Sequence, residues 1–203
     1  MKKIGLIGGT FNPIHYGHLI LAEQARIGEG LSEVIFMPAK SSPYKMHCEC
    51  AGEWHRYSMV SLAIESNPFF SVSDLEINGP EVSYTIDTLR SCKELLGEGS
   101  KLYFICGTDA FLGMEGWKNI DGIFMNFPLI VGSRPRYKDR ARDEMIRRVR
   151  EKYGADVHKV HMPKIDISSS EIKNRIRDGK SIRYLLPENV SDYIETNKLY
   201  RNL

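Results

Sequence analysis

At 203 residues, with 42% hydrophobic and 27% charged residues and a formal net charge of +2, the chain has the composition of a globular domain. That balance excludes a disordered or fibrous protein, and the net charge is too small to require a polyanionic partner. No apolar run approaches the ~20 residues that span a bilayer, and the run after Lys2 and Lys3 is cut short by Gly8-Gly9, so neither a membrane segment nor a signal peptide is read and a cytoplasmic protein is expected.

In chain order, residues 4–7 form the first apolar run and predict a buried strand. The run leads into Gly8, Gly9, Thr10 and Phe11, with a helix expected from Gly17 or His18 to residue 27. A glycine turn between strand and helix lets backbone N–H groups approach a phosphate, and the helix N-terminus adds partial positive charge. His15 and His18 lie three residues apart at the helix mouth and can face one side, where imidazoles donate hydrogen bonds to phosphate oxygens. The segment has neither the lysine of a Walker loop nor the three glycines of the dinucleotide fingerprint.

A second strand is predicted at residues 34–37, and residues 38–53 show no periodicity, which marks a functional loop. His47, Cys48, Glu49 and Cys50 in that loop, with His55 after it, carry metal-capable atoms. Their Cys-x-Cys spacing and the lack of a second pair argue against zinc, so no protein-held metal is expected. Residues 55–65 and 84–96 carry apolar positions at helical spacing, and residues 69–72, 102–106 and 128–131 read as strands. Cys92 falls in the helical stretch and Cys106 in an apolar strand, neither in a disulfide pattern.

Residues 139–152 predict a charged helix, 157–162 a late strand, and 168–178 and 187–198 two final helices, with Pro187 suited to a first turn. Between residues 134 and 152 there are nine Lys or Arg and four Asp or Glu, so a non-catalytic nucleotide- or nucleic-acid-binding module is the reading from another class. The interleaved acids and scarce aromatics oppose it. A solvated helix, or one at a contact between copies in a homo-oligomer, is the stronger expectation, with no nucleic-acid partner. Alternation of strand and helix implies an α/β fold, a mostly parallel sheet with helices on both faces. With no linker or repeat in sight, a single domain over residues 1–203 is expected.

The string from Gly8 to His18 resembles the His-x-Gly-His signature of a nucleotidyltransferase superfamily. Gly107, Thr108 and Asp109 follow a strand and precede Trp117, and Ser83, Tyr84 and Thr85 open a helix. Ser168, Ser169 and Ser170 stand before Glu171, Ile172 and Lys173, and Leu186 and Pro187 begin a closing motif. In this order, from residue 4 to residue 200, they resemble the bacterial nicotinate-nucleotide adenylyltransferases. Four positions depart from that family's habit: Asn12, Tyr44, Arg136 and Lys173, the last a point charge where a guanidinium is usual.

The resemblance implies a Rossmann-like, doubly wound sheet with a small C-terminal helical portion. It implies an enzyme that transfers AMP from ATP to nicotinate mononucleotide, giving nicotinate adenine dinucleotide and pyrophosphate in NAD biosynthesis, with Mg2+ accompanying ATP. His15 and His18 become the catalytic charge stabilisers. ATP would be bound by the backbone of Gly8, Gly9, Thr10 and Phe11, by Gly107 and Asp109, and by Ser168, Ser169, Ser170 and Lys173. For the acceptor, Tyr84 and Thr85 would meet the nicotinate carboxylate, Trp117 the ring, Lys45 and Arg134 the phosphate, and Asp109 the ribose. A sister adenylyl- or cytidylyltransferase with another phosphate acceptor is the alternative.

Overall fold

The structure, a computed structural model, describes residues 1–41, 50–132, 139–163 and 165–201. Among them, six parallel strands form one sheet: β1 (Lys2–Gly9), β2 (Glu33–Pro38), β3 (Phe70–Val72), β4 (Ser100–Gly107), β5 (Leu129–Gly132) and β6 (Val157–Val160), in the order β3-β2-β1-β4-β5-β6. In β1, Ile7 lies opposite Phe36 on one side and Ile105 on the other. The strands read as continuous apolar runs because both faces are covered.

On one face pack α1 (Tyr16–Glu29), α2 (Glu53–Ile64), α7 (Ser169–Arg177) and α8 (Glu188–Thr196); Ile7, Phe36 and Ile105 meet Leu21, Val60, Ile172 and Ile194 there. The other face carries α3 (Thr85–Leu96), α4 (Thr108–Gly113), α5 (Ile120–Asn126) and α6 (Asp139–Tyr153) over Leu6, Phe104 and Val131. Alternate residues of one strand thus feed two separate cores, as the two-residue period requires. Truncating a buried residue such as Ile105, 0% exposed, to alanine should cost about 2–5 kcal/mol.

All six predicted strands and the six longer helices are present. Helix α1 starts at Tyr16, slightly before the expected Gly17 or His18, because His15 takes the N-cap position. Pro187 is likewise the N-cap of α8 and not a residue of its first turn. α4, the 3-10 turn Met114–Gly116 and α5 were not anticipated; each spans fewer than eight residues, too few to display a helical period. No helix among the described residues is long and apolar enough to cross a membrane.

Candidate active site

From β1 the chain winds to β2 and β3 on one side, then returns to β4 and continues to β5 and β6 on the other. The direction of winding therefore reverses between β1 and β4, and in doubly wound sheets the crevice for ligands lies at the C-terminal ends of such a pair. Gly8 and Gly9 end β1 and Gly107 ends β4, so three sequence-predicted residues flank it.

Between β1 and α1, Phe11 has φ +47° and Asn12-Pro13 is a cis peptide. The Phe11 ring is buried against Phe36 and, edge-on at 5.1 Å, against His18, so only its backbone can serve a ligand. His15 is 1% exposed, and its ring stacks on that of His18 at 3.8 Å. The His15 backbone N–H donates to His18 Nδ1 across 3.3 Å, which leaves the proton of a neutral His18 ring on Nε2, the atom available to donate outward. Gly17 suits the close approach here: a Cβ on it would lie 3.0 Å from the His15 ring, which would have to give by a few tenths of an ångström.

The start of α7 docks on the same turn. Ser168 caps the helix by accepting from the Glu171 N–H at 3.2 Å, and Ser169 Oγ donates to the Pro13 carbonyl at 2.9 Å, across 156 residues of sequence. Two helix N-termini, those of α1 and α7, thus converge on Pro13–Gly17, and each favours negative charge. Ser170 lies in the first turn of α7 and Lys173 one turn further on, half-buried.

A buried guanidinium fixes the turn from behind. Arg56, 2% exposed, donates through Nη1 to the Thr10 carbonyl (2.8 Å), through Nη2 to Lys40 (2.9 Å) and through Nε to Ala51 (3.0 Å). Asn12 Oδ1 accepts from the Ala51 N–H (3.1 Å) and from the Tyr200 hydroxyl (2.9 Å). Burial pushes the Tyr200 phenol well above its usual range, so it remains a donor. Arg56 was not among the site residues read from the sequence. The signal was present: Arg56, Met59, Val60 and Ala63 share one helical face, and only an arginine with a full set of acceptors is stable there.

On the other side of the crevice Tyr84 is the N-cap of α3 and Thr85 its first residue. Trp117 closes the 3-10 turn, half-buried and edge-on to Phe104 at 6.2 Å. Lys118 joins the two, lying 4.2 Å from the Tyr84 ring centre and 3.0 Å from the Asp87 carboxylate. Asp109 is in the first turn of α4, while its neighbour Thr108 is buried and donates to the Gly132 carbonyl at 2.8 Å. Behind α3, burial raises the Glu76 carboxyl above its usual range, against hydrogen bonding from Thr88 (2.5 Å) and the Arg56 charge.

The predicted residues therefore fall into two groups, Gly8–His18 with Ser168–Lys173, and Tyr84–Thr85 with Trp117. Lys45 and Arg134 lie outside the described residues, as do Tyr44, His47, Cys48 and Arg136. His55 is 2.9 Å from the Tyr193 hydroxyl, a link between α2 and α8. Burial holds Cys106 above its usual range and Cys92 up at about 11, so neither is a ready nucleophile. In α6 three of the six positive side chains are in ion pairs: Arg142 with Asp139 and Asp143, Arg140 with Glu144, and Arg148 with Glu115.

The cytidylyltransferase-like family model matches residues 6–175. Among curated proteins, a "Probable nicotinate-nucleotide adenylyltransferase" from Thermoanaerobacter sp. (strain X514) is 42% identical over 199 residues, 98% of this chain and 94% of that protein. One of the same name from Desulfitobacterium hafniense (strain Y51) is 42% identical over 200 residues, covering 98% and 96%. Among solved structures, Plasmodium falciparum nicotinic acid mononucleotide adenylyltransferase complexed with NaAD superposes with a TM-score of 0.81 at 21% identity, covering 98% of each chain, which establishes the shared fold.

Proposed function

The chain belongs to the cytidylyltransferase-like family and, within it, to the nicotinate-nucleotide adenylyltransferases; from that premise we propose how its crevice moves AMP from ATP to nicotinate mononucleotide. The acceptor phosphate attacks the α-phosphorus of ATP in line, and pyrophosphate leaves from the opposite side. The substrate brings its own nucleophile, so the protein positions two anions and offsets their charge. ATP lies over Gly8–Phe11, with its phosphates between the His15–His18 pair and the Ser168–Ser170 helix start. His15 and His18 donate to the oxygens where charge grows as pyrophosphate departs. Each such donor contributes about 3 kcal/mol to lowering the barrier.

Gly107 and Asp109 border the adenosine, with Asp109 also reaching toward a ribose. The α3 N-terminus at Tyr84–Thr85 takes the nicotinate carboxylate, Trp117 stacks on the pyridine ring, and Lys45 and Arg134 take the acceptor phosphate. Lys173, though not a guanidinium, adds charge beside the triphosphate. Mg2+ would accompany ATP and offset charge on its phosphates. Among the described residues, no group of three or more His, Cys, Asp or Glu side chains is placed to hold an ion. Residues 1–203 act as one domain, in the cytoplasm.

The observation that carries this reading is the meeting of two helix N-termini and a histidine pair at the switch point of the sheet. The test is to incubate the purified protein with ATP, Mg2+ and a panel of phosphate acceptors and to measure pyrophosphate. Release with nicotinate mononucleotide and not with phosphopantetheine is the expected result; the opposite pattern would assign the crevice to a sister enzyme.

A further inference from the structure

The segment between β3 and α3 carries a carboxyl group that the transfer chemistry does not use. Residues 74–79 form a tight bend, in which Asn78 N–H donates to the Asp74 carbonyl at 2.9 Å and Gly79 N–H to the Glu76 carbonyl at 3.2 Å. From this bend the Glu76 side chain reaches α3, where Thr88, a buried residue, donates through Oγ1 to Glu76 Oε1 at 2.5 Å. The same hydroxyl lies 3.3 Å from the Tyr84 carbonyl, one turn back along the helix. A hydroxyl has one hydrogen to give, and the closer carboxyl oxygen takes it. The Tyr84 carbonyl is left to the Asp87 and Thr88 N–H groups, at 2.9 and 3.1 Å.

The bend itself is fixed from the side of β2. Lys40 Nζ donates to the Gly79 carbonyl at 3.3 Å, and Ser83 N–H donates to the Ser41 carbonyl at 3.2 Å. The Lys40 carbonyl accepts in turn from Arg56, which also holds Thr10. A side chain that reaches α3 from so constrained a bend restrains the helix start as well. That matters at this helix because N-terminal N–H groups favour an anion only when they point at it.

We propose that Glu76 is a positioning residue for the acceptor, an inference that rests on the reading that the α3 N-terminus takes the nicotinate carboxylate. By holding Thr88 one turn into α3, Glu76 sets the direction in which the N–H groups at Tyr84–Thr85 face the crevice. It acts through Thr88 and touches neither substrate. Its loss therefore falls on acceptor binding, with the transfer step and ATP binding left in place. When Glu76 is removed, the Thr88 hydroxyl turns back to the Tyr84 carbonyl and the first turn of α3 loses its outside restraint.

The experiment is steady-state kinetics on the full chain, with ATP and nicotinate mononucleotide each varied and circular dichroism to confirm folding of each variant. Glu76→Ala should raise the acceptor KM by about fivefold to tenfold, the scale of one lost hydrogen bond, and leave kcat and the KM for ATP within about twofold. Thr88→Val should do the same from the other end of the contact. The double variant should lose no more than either single one, because both changes remove one interaction. Glu76→Gln keeps an acceptor oxygen for Thr88 and should retain the wild-type acceptor KM. An unmoved acceptor KM in Glu76→Ala would overturn the inference, as would losses that add in the double variant or a Glu76→Gln as impaired as Glu76→Ala. A wild type that releases no pyrophosphate with nicotinate mononucleotide would overturn the reading of function and this inference with it, whereas a working wild type beside an unaffected Glu76→Ala would overturn this inference alone.

Discussion

The two sides of the crevice are built differently. On the phosphate side, Arg56, Asn12, Ser169 and Tyr200 tie the turn to the segment after β2, to α2, to α7 and to the segment after α8 through buried or half-buried hydrogen bonds, one of them between residues 188 apart. On the acceptor side, Trp117 and the α3 start are joined by Lys118, whose pair with Asp87 is half exposed on both partners. An exposed pair is worth about 0–1 kcal/mol, whereas a buried carbonyl that loses its donor costs about 1–3 kcal/mol. On the proposed assignment, the chemistry of phosphate transfer would sit on a turn held by buried hydrogen bonds, and the choice of acceptor on a part whose exposed pair can change at small energetic cost.

His18→Ala should show the largest effect, lowering kcat by about a hundredfold to a thousandfold with little change in the KM for nicotinate mononucleotide. Steady-state kinetics with each substrate varied would check it, and near-normal turnover would remove His18 from the mechanism. Arg56→Met comes next. It leaves the Thr10, Lys40 and Ala51 carbonyls without their donors, so stability should fall by about 3–5 kcal/mol and kcat should fall with it. Denaturant unfolding beside the kinetics would show whether the turn depends on that anchor.

Trp117→Ala should raise the acceptor KM by roughly tenfold through lost stacking and leave the KM for ATP nearly unchanged. An equal loss for both substrates would mean that the two sides are not separate. The smallest effect is expected for Glu76→Gln. Burial raises the folded-state pKa of Glu76, so the native protein holds this proton longer than the unfolded chain and wild type loses stability as pH rises through the carboxyl range. The variant should lose less over that interval, seen as a flatter dependence of Tm on pH.

The sequence made the phosphate side legible in outline because its parts are local. A strand, a glycine turn and two histidines three residues apart lie within one short segment, and the serines cap their own helix. What closes that side was not legible, since Asn12 meets Tyr200 and Pro13 meets Ser169 only after the sheet has formed. Arg56 was not singled out because the apolar face it shares with Met59, Val60 and Ala63 was given no weight. Trp117 was singled out by its motif, but the helices that flank it were not anticipated, because α4 and α5 are too short to show a period.

The separation of labour is tested most directly by a double-mutant cycle on kcat/KM for nicotinate mononucleotide with His18→Ala and Trp117→Ala. If one side stabilises the transferring phosphate and the other only holds the acceptor ring, the two losses should add to within about 0.5 kcal/mol. An interaction energy above about 1 kcal/mol would mean that the histidine and the tryptophan act as one unit, and would contradict the division.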